Sequence, residues 1–270
     1  MKHFIKTYSS ILFPKFLKSY RQKKVLKAIS SESQVLENGL KFYGIQNAHN
    51  YEPGVMSNIQ ELAQKYDYFV NVGANHGLYV FSLQHHFKKI IAVEALHENI
   101  QLIGKNVLTN GLHSKIFIAP FAASKDDQIL KFYGASTGGS LVKGFNQQFD
   151  EGVYVQTISI DDLVLSHLDN KDALYLIDVE GAEWDVLQGA KDVINKSNST
   201  FVVEISCREF MPNEEFREGF IEIFKLFFSQ GYNAKEILAD GSLVEITLNC
   251  AKDMVISERW EGFMAIFERT

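Results

Sequence analysis

Two groups of residues have the types and spacing to do chemistry. The stretch "YFVNVGANHGLYV", Tyr68 to Val80, reads as a buried strand running into a turn that holds Gly73, Asn75 and Gly77. Such a turn lets backbone pass close to a ligand and aims helix N-terminal amides at it. Glu94 ends the next strand, 21 residues after Gly73, where a carboxylate can accept both hydroxyls of an adenosine ribose. The second group is acidic: Asp178, Glu180 and Glu183 in "LIDVEGAEWDVLQGA", and Glu204 near the end of "TFVVEIS". Carboxylates at strand ends can act as bases or bind a hard cation through oxygen.

A glycine turn with a ribose acid fits NAD and S-adenosylmethionine alike. The full GxGxxG is missing because position 75 is Asn, and a pyrophosphate normally needs that bare backbone. The Tyr-x-x-x-Lys pair of short-chain dehydrogenases occurs only as Tyr20 and Lys24, upstream of the nucleotide strand. An NAD enzyme is disfavoured. The prolines Pro14, Pro53, Pro120 and Pro212 are never adjacent, so the Pro-Pro-aromatic motif of amide and exocyclic-amine methylation is absent. Cys207 follows Ser206 and Cys250 follows Asn249, so there is no nucleophilic Pro-Cys for cytosine C5 chemistry.

The elements that must position these residues follow from periodicity. A helical pattern over Val55 to Tyr66 leads into strand 68–72, helix 77–86, strand 89–94, helix 97–110 and strand 114–119. This βαβαβ run implies parallel strands, crossover helices and a ligand crevice at the strands' carboxyl ends. After Pro120, "QILKFY", "GASTGGSLVKGF" and "VYVQTISI" read as a β insertion, with residues 134–150 having the composition of a substrate lid. The alternation resumes with strand 173–178, a helix from Glu183 to Val193 and strand 200–206. A helix capped by Asn213 follows, with Phe216, Phe220, Ile223, Phe224 and Phe227 on one face and Gly231 as its stop. "GFMAIFER" reads as a final antiparallel strand.

At 270 residues and 46% hydrophobic, the chain can bury one large α/β core, expected over 55–270 behind a basic helical extension at 1–54. The formal charge is −6, yet residues 1–30 hold eight Lys or Arg and no acid, so the body is more acidic than the total suggests. That argues against a nucleic-acid substrate. In the extension, Ile11, Leu12, Phe13, Phe16, Leu17 and Tyr20 form an apolar stripe, suited to packing, to self-association or to peripheral contact at the inner membrane face. No apolar run approaches the roughly 18 residues of a spanning helix and no signal peptide is visible, so a cytoplasmic protein is expected. Cys207 and Cys250 form no CxxC and no zinc set; they are expected as buried thiols of a reducing compartment.

"VNVGANHG", "AVEA" and "LIDVEGAEWDVLQGA" resemble the FkbM-type family of S-adenosylmethionine-dependent methyltransferases, over roughly Asn58 to Ser206. Gly73, Asn75 and Gly77 fall on its first motif, with Asn71 where an acid is usual. Glu94 falls on the ribose acid, followed by Ala95 where Pro is common. "TISIDDL" at 157–163 resembles a second element, and Asp178, Glu180, Gly181, Glu183 and Gly189 fall on the Asp-x-Glu-Gly-x-Glu block. The resemblance implies a Rossmann-like class I fold, with a seven-stranded, mostly parallel sheet and an antiparallel terminal strand. It also implies S-adenosylmethionine as cofactor, held by Asn71, Gly73, Asn75, Gly77 and Glu94. The implied reaction is O-methyl transfer to a hydroxyl of a sugar, glycan or small molecule.

Methyl transfer from a sulfonium is an in-line displacement that depends on alignment, and an alkyl hydroxyl also needs a base. Asp178, at the end of the central strand, is the first candidate and Glu180 the second, while Glu204 could bind acceptor hydroxyls. The three acids together would suit Mg²⁺, but no metal ligand set is assigned. His76 reads as a turn residue or a second base. Asn71, lacking the usual charge, keeps open a non-catalytic module that binds an adenosine ligand or a partner.

Overall fold

The computed structural model describes residues 32–269 except 46–47, 49–50, 135–137, 146–151, 170, 207, 213 and 257–261. The expected apolar stripe of the extension, the Asn213 cap and Cys207 lie outside the described residues.

A two-stranded ribbon, β1 (Gln34–Val35) and β2 (Lys41–Phe42), precedes helix α1 (Pro53–Ala63), which starts with Pro at a position where its missing N–H costs nothing. The expected βαβαβ run follows as β3 (Tyr68–Val72), α2 (Leu78–Leu83), β4 (Lys89–Val93), α3 (His97–Thr109) and β5 (Ile116–Ala119). The helix expected to run to residue 86 changes to a 3-10 turn over Gln84–His86. The β insertion is a separate three-stranded sheet of β6 (Ala122–Ala123), β7 (Ile129–Tyr133) and β8 (Gly152–Ile158). Its described loop residues, 138–145, are fastened: Ser140 and Tyr133 exchange backbone hydrogen bonds at 2.8 and 3.0 Å, and Ser140 and Phe145 are fully buried.

The chain continues through α4 (Ile160–Leu168), β9 (Leu174–Ile177), α5 (Glu183–Gln188), α6 (Lys191–Lys196) and β10 (Thr200–Ile205). The single helix expected over 183–193 is two, broken at Gly189–Ala190. There the backbone runs so close to the insertion that a Cβ on Gly189 would lie 2.3 Å from the carbonyl oxygen of Ser124. After α7 (Glu214–Ser229) come β11 (Tyr232–Ile237), β12 (Leu243–Ile246), α8 (Leu248–Ile256) and β13 (Phe263–Arg269).

The main sheet has eight strands in the order β12-β11-β13-β10-β9-β3-β4-β5. Strands β3, β4, β5, β9 and β10 are parallel, and β13 runs antiparallel between β10 and β11. The parallel core and the reversed final strand are as expected, whereas β12 is an eighth strand added to the edge as a hairpin on β11. Alternate side chains build two apolar layers. Val70, Val72, Tyr175, Ile177, Phe201 and Val203 pack under α4 to α7. On the opposite face, Phe69, Ile90, Ala92, Leu174, Leu176 and Val202 pack under α1 to α3. Phe220, Ile223, Phe224 and Phe227 of α7 are buried as expected, each contributing about 1.5–3 kcal/mol of apolar transfer.

No helix among the described residues is long and apolar enough to cross a membrane. Cys250, expected buried, is exposed on the first turn of α8, where its thiol accepts a hydrogen bond from the Thr247 hydroxyl at 3.1 Å.

Candidate active site at the strand ends

A crevice opens at the carboxyl ends of β3, β4 and β9, the place where open α/β sheets bind their ligands. Gly73, Asn75, Glu94 and Asn99 line it together with Tyr51, Asp178 and Glu180. Phe121, Phe132 and Leu141, on the insertion side, supply apolar wall.

The turn after β3 is built by backbone constraints. Gly73 has φ +80°, and a Cβ there would lie 1.8 Å from the carbonyl oxygen of Asp178, so only glycine lets β3 and β9 meet at this point. Asn75 has φ +52°, a left-handed conformation that Asn tolerates better than most residues. Its amide donates to Glu94 Oε2 at 2.7 Å, and the Leu96 amide donates to Oε1 at 2.8 Å. The Asn99 side chain bonds the same carboxyl. Burial pushes Glu94 up to about 7, against the pull of these donors. Asn75 Oδ1 and Asn99 Oδ1 are buried without a hydrogen-bond partner. Since buried polar atoms are nearly always satisfied, two orphaned acceptors beside a bare turn and an acid fit a polar, donor-bearing ligand such as an adenosine.

Beside this turn, the Asp178 amide donates to Val72 O at 3.0 Å, carrying the strand pairing one residue past β9. Its carboxyl hydrogen-bonds that of Glu204 on the neighbouring strand. Burial first, then the charge of Glu52, raises Asp178 to about 6. Glu204 is pushed well above the carboxylate range, by burial and then by the negative charges of Asp178, Glu183 and Glu180. Close carboxyls that cannot both ionise share a proton.

Glu180 sits at φ +58°, a left-handed conformation that is strained for a residue with a side chain and of the sort that clusters at functional sites, and Gly181 continues the turn at +95°. The Glu180 carbonyl accepts from the Ser140 hydroxyl at 2.6 Å, tying the β insertion to the acidic turn. Glu183 is fully buried and does not line the crevice. Its Oε1 accepts from the amides of Val179 and Gly181, both at 3.1 Å, so it buckles the turn.

Of the residues expected from sequence, Gly73, Asn75, Glu94, Asp178 and Glu180 line one crevice, while Asn71, Gly77 and Glu204 do not. Asn71 is buried within β3, with Oδ1 unpartnered. Gly77 turns the chain into α2 at φ +86°, and Glu204 reaches the site through Asp178. Among the described residues no group of three or more His, Cys, Asp or Glu could hold a metal ion, so Asp178, Glu180 and Glu204 do not converge as a cation triad. His76 is buried, its Cβ near Gly44.

Sequence reasoning missed Asn99 and Tyr51. Tyr51 falls within the extension expected over 1–54. The Glu52-Pro53 dipeptide was the available signal, because Pro marks a helix's first turn and sets Tyr51 just ahead of α1.

A family model described as the methyltransferase FkbM domain matches residues 71–234. No protein of curated function matches the chain. Among solved structures, the methyltransferase FkbM of Methylobacillus flagellatus KT is similar at 16% identity, with a TM-score of 0.47, over 75% of this chain and 43% of its own. The chain thus spans less than half of that protein. An O-methyltransferase from Bacillus cereus, in complex with SAH, is similar at 12% identity and a TM-score of 0.48, over 98% and 96% of the two chains. A SAM-dependent O-methyltransferase from Thermotoga maritima is similar at 13% identity and a TM-score of 0.40, over 81% of this chain and 65% of its own.

Proposed function

The chain belongs to the FkbM methyltransferase family, and on that premise we propose that it is an S-adenosylmethionine-dependent O-methyltransferase acting on a hydroxyl of a sugar, glycan or small molecule. The observation that carries this reading is one crevice that brings a bare glycine turn and Glu94 together with Asp178, whose carboxyl pairs with that of Glu204.

When bound, the donor supplies an electrophilic methyl group on a sulfonium. Glu94 accepts the ribose hydroxyls, and Gly73 and Asn75 let the backbone approach. Gly77 aims the start of α2 at the same ligand, and Asn71 supports the turn from within β3. Asp178 takes the proton from the acceptor hydroxyl as the methyl group arrives. Burial and the charge of Glu52 keep Asp178 basic enough near neutral pH, and the Glu204 carboxyl hydrogen-bonded to it holds it in position. Glu180, held in its unusual backbone conformation, orients the acceptor. Water exclusion falls to the apolar wall of Phe121, Phe132 and Leu141.

The acidic body supports an acceptor other than nucleic acid, and two cysteines without a CxxC support a reducing, cytoplasmic setting. The basic extension supports peripheral membrane contact or self-association. Asn71, in place of the family's usual acid, favours a second reading, a non-catalytic module for an adenosine ligand.

Calorimetry with S-adenosylmethionine and its demethylated product, S-adenosylhomocysteine, tests both. Binding of each at micromolar concentration is expected, and no binding at high micromolar concentration overturns both readings. Formation of the product on incubation with an extract of cellular glycans separates enzyme from module.

A further inference from the structure

Tyr51 lines the crevice with Asp178 and Glu180, whose charges act on its hydroxyl. Its ring stands edge-on to Tyr79, with centroids 6.3 Å apart and planes at 75°, yet Tyr51 is 40% exposed. Tyr79 is in turn anchored, being 8% exposed and donating its hydroxyl to Glu52 Oε2 at 2.7 Å. Glu52 has φ +41°, a conformation that a residue with a side chain holds only where its surroundings impose it. Tyr51 is therefore held against Tyr79 yet part-exposed, beside the proton-sharing acids.

The charge of the crevice is one-sided. Glu94, Asp178 and Glu180 line it, and among the described residues no Lys, Arg or His does. Burial of the Tyr51 hydroxyl, and then the charges of nearby Glu52, Asp178, Glu180 and Glu204, keep it protonated, so it donates hydrogen bonds. An aromatic face flanked by carboxylates suits a ring with a C–H surface and hydroxyl donors, and repels an anion.

We propose that Tyr51 is the acceptor platform of the site, stacking an uncharged polyhydroxylated ring so that one hydroxyl reaches Asp178, and that anionic sugars are excluded. The proposal rests on the methyltransferase reading above. Specificity then comes from two sources: the flat ring selects the shape of the acceptor, and the acids select against negative charge.

The test uses the full chain loaded with S-adenosylhomocysteine. Saturation-transfer NMR is run with methyl hexopyranosides of several stereochemistries and with the matching methyl uronosides. At least one neutral glycoside is expected to bind, with its uronoside weaker by about tenfold or more. Tyr51→Ala should weaken the neutral glycoside by about tenfold while leaving product affinity by calorimetry within about twofold, and Tyr51→Phe should retain most binding.

The proposal is overturned if no neutral glycoside binds, if uronosides bind equally well, or if Tyr51→Ala keeps its glycoside. Parallel loss of product affinity in Tyr51→Ala also overturns it, because the ring would then serve the donor. Failure of the wild-type chain to bind the product, seen without any sugar, instead overturns the methyltransferase reading on which the platform rests.

Discussion

Glu204 hydrogen-bonds Asp178 across adjacent parallel strands, one step beyond the last register pair, Val203 with Ile177. Parallel pairing sets the two carboxyls side by side in a partly buried site, where a second negative charge is disfavoured. The fold itself thus holds a proton where the proposed chemistry needs a base.

Stability should fall as pH rises. Asp178 has a folded value near 6 and an unfolded value of about 3.9, so between these the native state keeps a proton that the unfolded chain has lost, and stability drops through that window. Glu94 and Glu183, both raised to about 7, extend the fall toward neutrality. Glu204→Gln should flatten the curve and raise the melting temperature at pH 8 by about 2–4 °C, with little change at pH 5. Equal slopes in thermal melts of both proteins would show that the pair shares no proton.

Donor affinity should run the other way. Glu94 is the proposed ribose acceptor and titrates near 7, so calorimetric affinity for S-adenosylhomocysteine should rise between pH 6 and pH 8. Glu94→Gln should bind about 10–100-fold more weakly at pH 8 and lose this dependence. A wild-type affinity independent of pH would remove Glu94 from contact with the ligand.

Gly73→Ala should be among the most damaging small changes in the chain, because its Cβ would meet Asp178 O at 1.8 Å in a left-handed conformation. A loss of about 3 kcal/mol or more is expected. Gly111→Ala shares the positive φ, at +67°, but has nothing within 4 Å of the new Cβ, and should lose about 1 kcal/mol. Urea denaturation of the two variants measures the difference; equal losses would refute the steric account.

The tether from the β insertion is open to the same approach. Ser140 Oγ donates to Glu180 O at 2.6 Å and accepts from the Val142 amide at 2.9 Å. Ser140→Ala should cost about 1–3 kcal/mol, because both partners are left unsatisfied in a buried turn. Hydrogen exchange at Val142 should speed up accordingly, and unchanged exchange would show that the tether does not hold the loop.

The strands around the site were legible because buried parallel strands leave short β-branched runs closed by turns, as in Tyr68–Val72 and Leu174–Ile177. The bare turn was legible too, since Gly73 and Asn75 answer backbone demands visible in residue type alone. The acids were harder, because spacing along the chain does not say where a carboxylate points. In "TISIDDL", Asp161 accepts from the amides of Asp192 and Val193 at 3.0 and 2.9 Å, and Ser159 accepts from the Asp162 amide at 3.1 Å. That element caps helices and does not enter the crevice. Strand β12 escaped notice because it is four residues long, with Leu243 and Val244 exposed, and lacks the alternation of a half-buried strand. For Tyr51 the Glu52-Pro53 dipeptide signals a place ahead of a helix, but not its role, because its neighbours in space, Asp178 and Glu180, lie over a hundred residues away.

Strand β13, Phe263–Arg269, fills the slot between β10 and β11 and pairs with both. On the ribosome, every other strand of the main sheet is made before the one that joins its two parts. Until then the edge of β10, with the sequence TFVVEI, and that of β11 lie open, the sort of unpaired apolar edge that invites aggregation or a chaperone. A stop codon just before residue 263 would therefore yield a chain with its candidate active-site residues encoded but its sheet unjoined, a product for quality control to intercept.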